Sequence, residues 1–298
     1  MHGWTHYSKM KQTMKQNHIS NRRIALICAL CLYVWLPAQS IKELYIFHTN
    51  DTHSCIEPIG AHNPDTAQAN KAGFVRRATF LKEMRKQHPD MLLFDSGDFS
   101  QGSPYYNIFK GDVEVSMMNE MGYDAGTIGN HEFDFGLDNM ARLFRMAKFS
   151  IVCANYGVEG TVLEGLVKPY VILHRDGLKI GVFGLSPKLE GLVQQKNYEG
   201  LVYRDPIRCA NKVAALLKEQ KHCDVVICLS HLGWKGRESD EVLISATKNI
   251  DVVLGGHSHS YFETPIYYKN LDGVDVPLQQ MGKNGRFVGE IVLEFQKD

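Results

Sequence analysis

Beyond residue 40 the chain alternates short runs rich in Val, Ile, Leu and Phe with longer stretches whose apolar residues recur every three or four positions. The short runs predict β-strands over 44–48, 91–94, 125–128, 151–154, 171–174, 180–185, 225–229, 252–254, 266–268, 276–280 and 288–295. The longer stretches predict helices over 74–87, 113–121, 137–148, 206–221 and 240–248. In the first helix Phe74, Ala78, Leu81 and Met84 fall at helical spacing, while Arg76, Arg77, Lys82 and Arg85 cover the other side. The first half reads strand, helix, strand, helix. Later hairpin-like runs are separated by turn signals such as Asp176-Gly177, Asp272-Gly273 and Asn284-Gly285. This α/β pattern predicts mixed sheets with helices outside. No repeat, low-complexity tract or Pro/Gly-rich linker interrupts 41–298, so that span is expected to form one domain.

At 298 residues and 44% apolar composition the chain can bury a substantial core, which sets aside disordered and collagen-like classes. Formal charge is zero, but residues 1–40 hold five Lys/Arg and no acid, leaving 28 basic against 33 acidic residues, a balance of −5. A mildly acidic body argues against a surface for nucleic-acid polymers, which needs clustered positive charge. Arg22-Arg23 precedes thirteen apolar residues, 24–36, and a helix-breaking, small-residue stretch at 37–40. That is the pattern of a secretory signal peptide, expected over 1–40 and directing export to the periplasm. Thirteen residues span roughly 20 Å, short of the ~30 Å hydrocarbon core, so no permanent membrane span is expected. Beyond this segment lie Cys55, Cys153, Cys209, Cys223 and Cys228. An odd count without C-x-x-C spacing argues against a disulfide framework or a zinc knuckle and predicts mainly small core residues.

Metal-competent side chains lie just after the apolar strands, in turns rich in Gly, Asn or Asp, where the active sites of α/β sheets collect. The first turn carries Asp51 and His53; in an extended segment alternate residues point the same way, so both can reach one ion. The second carries Asp98, whose two carboxylate oxygens suit a bridge between two ions ~3.5–4 Å apart. The third holds Asn130, a neutral oxygen donor, with His131 and Asp134 three apart. On the first turn of a helix these last two share a face, and the acid can orient the imidazole. The fourth ends in His231, and the fifth is Gly255-Gly256-His257-Ser258-His259, where paired glycines let the backbone turn closely beside an ion. Carboxylate, amide and imidazole in this mixture suit Zn, Mn, Fe or Co.

Taken in order, D-x-H, G-D, G-N-H-E, a later His and G-G-H-x-H resemble the calcineurin-like metallophosphoesterase superfamily. The fuller strings H-T-N-D-T-H, D-S-G-D-F-S-Q-G, G-N-H-E-F-D-F-G and G-G-H-S-H are most similar to the bacterial 5′-nucleotidase and UDP-sugar hydrolase family, over nearly all of 43–295. The resemblance implies a four-layer α/β/β/α sandwich with two mixed β-sheets and two divalent metal ions. It implies that Asp51, His53, Asp98 and His259 hold one metal and that Asp98, Asn130, His231 and His257 hold the other. His131 and Asp134 match the family's catalytic pair. His48 matches no metal position and is expected to support the site or the fold. His62, His88, His174 and His222 are expected at the surface.

The expected reaction is hydrolysis of nucleotides or related phosphate esters. Two cations would lower the pKa of a shared water from 15.7 toward about 7 for in-line attack on phosphorus. Full-length members of the family continue into a second domain that supplies arginines for the phosphate and stacked aromatics for the base. This chain ends at Asp298, about where that domain would begin. The expectation is therefore a catalytic half without a specificity half, served by a separate nucleotide-binding subunit, acting broadly on simple esters, or cut short by truncation of the sequence. Alternatives are a metal-binding subunit or scaffold without catalysis, and a related sulfur-ester hydrolase. Competent residues at every ligand and catalytic position argue against the first; the second gains no support from any special substrate-binding Cys or Arg.

Overall fold

The computed structural model describes residues 11–13 and 41–296; the apolar run 24–36, expected to direct export, lies outside them. In chain order the strands are β1 (Lys11–Thr13), β2 (Ile41–Thr49), β3 (Leu92–Asp95), β4 (Ala125–Gly126), β5 (Ser150–Val152), β6 (Tyr156–Gly157), β7 (Val167–Lys168) and β8 (Tyr170–Arg175). They continue as β9 (Leu178–Leu185), β10 (Val202–Tyr203), β11 (Val225–Ser230), β12 (Val252–Leu254), β13 (Ile266–Lys269), β14 (Asp275–Gln279) and β15 (Gly289–Gln296). The helices are α1 (Phe74–Gln87), α2 (Pro104–Phe109), α3 (Asp112–Met121), α4 (Gly136–Met146), α5 (Pro206–Ala215) and α6 (Asp240–Ser245). Among the described residues no helix is long and apolar enough to cross a membrane.

Two mixed sheets face each other. One has the order β1-β15-β2-β3-β4-β5-β7 and the other β13-β14-β12-β11-β9-β8; β10 and β6 form a small antiparallel pair. Strand alternation sorts the side chains into three cores. Leu44, Ile46, Leu92 and Phe94 point toward Ile180, Val182, Ile227 and Leu254 of the second sheet. Phe47 and Leu93 point the other way, against Phe74, Leu81, Val115 and Leu143 of α1, α3 and α4. On the far side Phe183, Val226 and Cys228 meet Ala210, Val213 and Leu243 of α5 and α6. The layers are helix, sheet, sheet, helix, as the sequence motifs imply.

Several expected boundaries shift. The strand expected over 125–128 stops at Gly126, because Ser186 Oγ takes the carbonyl of Ile128 and the chain turns toward Asp98. The helix expected over 206–221 is α-helical to Ala215 and then widens into a π turn over Leu216–Gln220. That turn seats Leu217 over Gly181 of β9. The helix expected over 240–248 ends at Ser245. Helix α2 was not expected at all. Its start carries a Ser103 cap and a proline in the first turn, a strong but short signal. Cys153, Cys223 and Cys228 are buried thiols as expected, while Cys55 and Cys209 are half-buried.

The chain around β5 makes backbone contact with the second sheet at Gly184 of β9. Ala154 N donates to its carbonyl at 2.8 Å, and a Cβ there would lie 2.0 Å from the Val152 carbonyl oxygen and 2.3 Å from Thr127 Oγ1. The neighbours are backbone and a pinned hydroxyl, so they cannot yield cheaply. Gly184→Ala is expected to cost about 3 kcal/mol, a Tm fall of about 6–12 °C in a thermal melt. Gly60→Ala, with nothing within 4 Å, serves as the control; equal melting shifts for the two would contradict this account of the inter-sheet contact.

Candidate active site

Strands β2, β3, β4 and β5 run parallel in one sheet, as do β9, β11 and β12 in the other. The turns that follow β2, β3, β4, β11 and β12 carry the predicted residues to one edge of the sandwich. The turns are sewn together by backbone. Asp51 N donates to Gly97 O at 2.9 Å, His53 N to Asp98 O at 3.0 Å and Ser54 N to Phe99 O at 2.9 Å. Across the sheets Ser96 Oγ donates to Leu254 O at 2.8 Å, and His231 Nδ1 donates to Ser96 O at 2.6 Å.

The extended geometry expected at 51–53 is not what brings Asp51 and His53 together. Strand β2 ends at Thr49, and both residues are left-handed, with φ of 47° and 42°. Asp98, His257 and His259 share this conformation, with φ of 56°, 70° and 54°. Five non-glycine residues in a region costing about 1 kcal/mol or more each are held there by the hydrogen bonds of the sewn turns. His131 opens a 3₁₀ turn, His131–Phe133. Its Nδ1 lies 3.2 Å from Asp134 Oδ2, the pairing that three-residue spacing predicts.

Three triads have donor atoms within 4.8 Å of one another: Asp51, His53 and His259; His53, Asp98 and His131; Asp98, His231 and His257. Within them His53 Nε2 stands 3.0 Å from His259 Nε2, His259 Nε2 3.4 Å from Asp51 Oδ1, and His231 Nε2 3.1 Å from Asp98 Oδ2. Donors held about 2.1 Å from one cation are about 3.0–3.4 Å apart, so these spacings fit divalent-metal coordination. Orphaned atoms point the same way. Asn130 Oδ1 and His231 Nε2 are buried without hydrogen-bond geometry to any partner, a costly state unless a cation satisfies them. The Asp and His cluster therefore suits divalent metal ions.

The electrostatics are those of a concentrated negative field. Burial alone would raise the Asp98 carboxyl, but His231, His131 and His53 outweigh it and hold it well below the usual carboxylate range. Burial would lower His231; Asp98 and Asp51 overcome that and push it up. A divalent cation answers the same field with more charge than a proton. Burial, aided by the neighbouring His231, drives His257 down to about 4 and so favours the neutral, ligand-competent ring. At His131 burial works downward, yet the hydrogen bond with Asp134 and the charge of Asp98 raise it.

Supporting residues escaped sequence reasoning. Glu132 is buried and accepts from Asp98 N at 3.0 Å, Ser100 N at 3.1 Å and Gly129 N at 2.6 Å. It locks the second turn to the third. Burial next to Asp98 raises its carboxyl to about 7. Asp95 accepts from Thr49 Oγ1 at 2.6 Å and from Gly97 N at 3.0 Å. Asn50 ties the first turn to Met281 N and Gly282 O, each at 2.8 Å. Both acids stand inside quoted motif strings, which was the available signal. His48 is buried against Gln279 Oε1 at 3.0 Å, supporting the fold as expected. His62, His174 and His222 are exposed, and His88 is half-buried, stacked on Tyr45.

An open cleft of about 380 Å³ reaches this cluster, lined by His53, His131 and His259 together with Glu57, Tyr105 and Lys283. The model of the calcineurin-like phosphoesterase family matches residues 44–261. Human 5′-nucleotidase is 31% identical over 291 residues, covering 91% of this chain and 50% of that protein. The solved 5′-nucleotidase precursor of Thermus thermophilus superposes with a TM-score of 0.77 at 29% identity, over 84% of this chain and 51% of that one. A calcineurin-like phosphoesterase of Bacillus subtilis gives 0.72 at 28% identity and 87% of both chains. The chain thus spans about half the length of the curated 5′-nucleotidases it matches. With its motif residues gathered into one Asp and His cluster beneath an open cleft, the chain belongs to the calcineurin-like phosphoesterase family.

Proposed function

We infer that this chain is an exported, periplasmic phosphoric ester hydrolase of the 5′-nucleotidase type, acting on nucleotides or related phosphate esters with two divalent cations. The observation that carries this reading is the run of three donor triads linked through His53 and Asp98, with His53, His131 and His259 lining one cleft. Asp51, His53, Asp98 and His259 are assigned to one cation, and Asp98, Asn130, His231 and His257 to the other. When bound, divalent cations would supply Lewis acidity, drawing charge from phosphoryl oxygens and lowering the pKa of a water so that hydroxide is available near neutral pH.

The chain's own groups do the remainder. His231 presents Nε2 to the cluster because Ser96 O fixes Nδ1 as the donor. Asp134 is a positioning residue: by accepting from His131 Nδ1 at 3.2 Å it leaves Nε2 as the atom that can meet substrate. The raised affinity of His131 for a proton suits it to hand that proton to the departing alkoxide. Tyr106, itself buried, donates to the His131 carbonyl at 3.3 Å, and Asn197 Nδ2 donates to Asp134 O at 3.1 Å. The dyad is thereby held at both backbones while the His131 ring lines the cleft.

His131→Ala is expected to lower kcat for p-nitrophenyl phosphate by about 10²–10⁴-fold while elemental analysis finds metal content nearly intact. Loss of metal in parallel with activity would place His131 among the ligands instead. Chelation with EDTA is expected to abolish turnover of p-nitrophenyl phosphate, and Mn²⁺, Zn²⁺ or Co²⁺ to restore it. Undiminished turnover by the chelated, metal-free protein would remove the hydrolytic role assigned to the cluster.

A further inference from the structure

Asp51, Asp98 and Asp134 stand behind the histidines that line the cleft, a concentration of negative charge that repels phosphate until cations neutralise it. The loop between β14 and β15 also reaches this cleft, where Lys283 and Asn284 line the same space as His53, His131 and His259. Lys283 is exposed, and among the described residues no carboxylate pairs with its ammonium. The one acid that lines the cleft beyond the cluster, Glu57, accepts from Tyr105 Oη at 2.8 Å.

The backbone beneath Lys283 is fixed relative to the candidate ligands. Asn50 accepts from Met281 N and donates to Gly282 O, each at 2.8 Å. Asn284 N donates to Asp51 O at 2.7 Å, and Arg286 Nε donates to Lys283 O at 3.0 Å. Asn284 and Gly285 then turn tightly, with φ of 63° and 59°. Lys283 is therefore carried on a loop riveted to Asn50 and Asp51, within the turn that also presents His53. Its four-carbon stem leaves the ammonium mobile at a defined place on the cleft wall. Such an arrangement suits recognition of a charged group that varies in position only slightly.

We propose that Lys283 is this chain's own phosphate-recognition cation, contacting non-bridging phosphoryl oxygens in the cleft that His131 also lines and favouring dianionic phosphomonoesters over monoanionic phosphodiesters. The proposal rests on the hydrolase reading above and names the substrate class for the same cleft. Its physical basis is charge: a monoester above its second pKa of about 6 carries twice the charge of a diester, so an ammonium at fixed distance attracts it twice as strongly.

The test uses the full chain loaded with Mn²⁺. Lys283→Gln is expected to raise KM for p-nitrophenyl phosphate about tenfold and KM for bis-p-nitrophenyl phosphate less than about threefold, with kcat for both within about twofold. Calorimetry with inorganic phosphate is expected to show its Kd weakened by a similar factor, about tenfold, and Lys283→Arg is expected to restore most of it. Unchanged phosphate affinity, or equal KM changes for the two esters, would overturn the assignment. Metal content is measured alongside, and loss of metal in Lys283→Gln would likewise overturn it by giving the residue a structural role. Absence of wild-type turnover would reject the hydrolase reading, while phosphate calorimetry would still decide whether Lys283 binds the anion.

Discussion

The site depends on how the Asp98 carboxylate is held. It is buried, its backbone is left-handed, and its two oxygens are committed in different directions. Oδ1 accepts from His131 N at 2.9 Å, and Oδ2 faces His231 Nε2 at 3.1 Å. Its amide is bound by Glu132 and its carbonyl by His53 N. An ionised carboxylate in such surroundings is costly unless opposite charge answers it. Here the answering groups come from the turns after β2, β4 and β11, so stabilising one charge draws three loops together.

The sandwich makes that convergence possible because the parallel strands of both sheets end at one edge. Close approach is needed across that edge as well as along it. A Cβ on Gly256 would lie 2.8 Å from both His231 Nδ1 and Ser96 O, so Gly256 is required by the hydrogen bond that orients His231, while a Cβ on Gly255 would lie 2.7 Å from Asp240 Oδ2. Backbone strain at Asp51, His53, Asp98, His257 and His259 belongs to the same economy of space. Regular strand or helix geometry would splay these side chains along their elements. Left-handed turns point them inward.

Much of this was legible in the sequence because each donor follows an apolar run that can only be a buried strand, and strand ends have a common destination in an α/β sheet. The alternation of Leu44 and Ile46 with Tyr45 and Phe47 is enough to place two cores on opposite faces of β2. What sequence spacing could not supply was local conformation. The expectation of an extended 51–53 segment reached the right partners by the wrong geometry, since positive φ at Asp and His is set by tertiary hydrogen bonds. Glu132 and Asn50 were passed over for a related reason. Their partners are backbone amides and carbonyls of distant turns, and nothing in the residue type distinguishes a loop-locking acid or amide from an ordinary turn former. Helix α2 was lost among Gly and Ser, where a six-residue helix leaves too few positions for a period to show.

Metal stoichiometry tests the central claim most directly. Elemental analysis of protein equilibrated with Mn²⁺ and freed of unbound ion is predicted to find two ions per chain in the wild type, and at most one in Asp98→Asn at the same protein concentration. Two ions retained by the Asp98 variant, with its fold intact by circular dichroism, would contradict a cluster organised around that shared carboxylate.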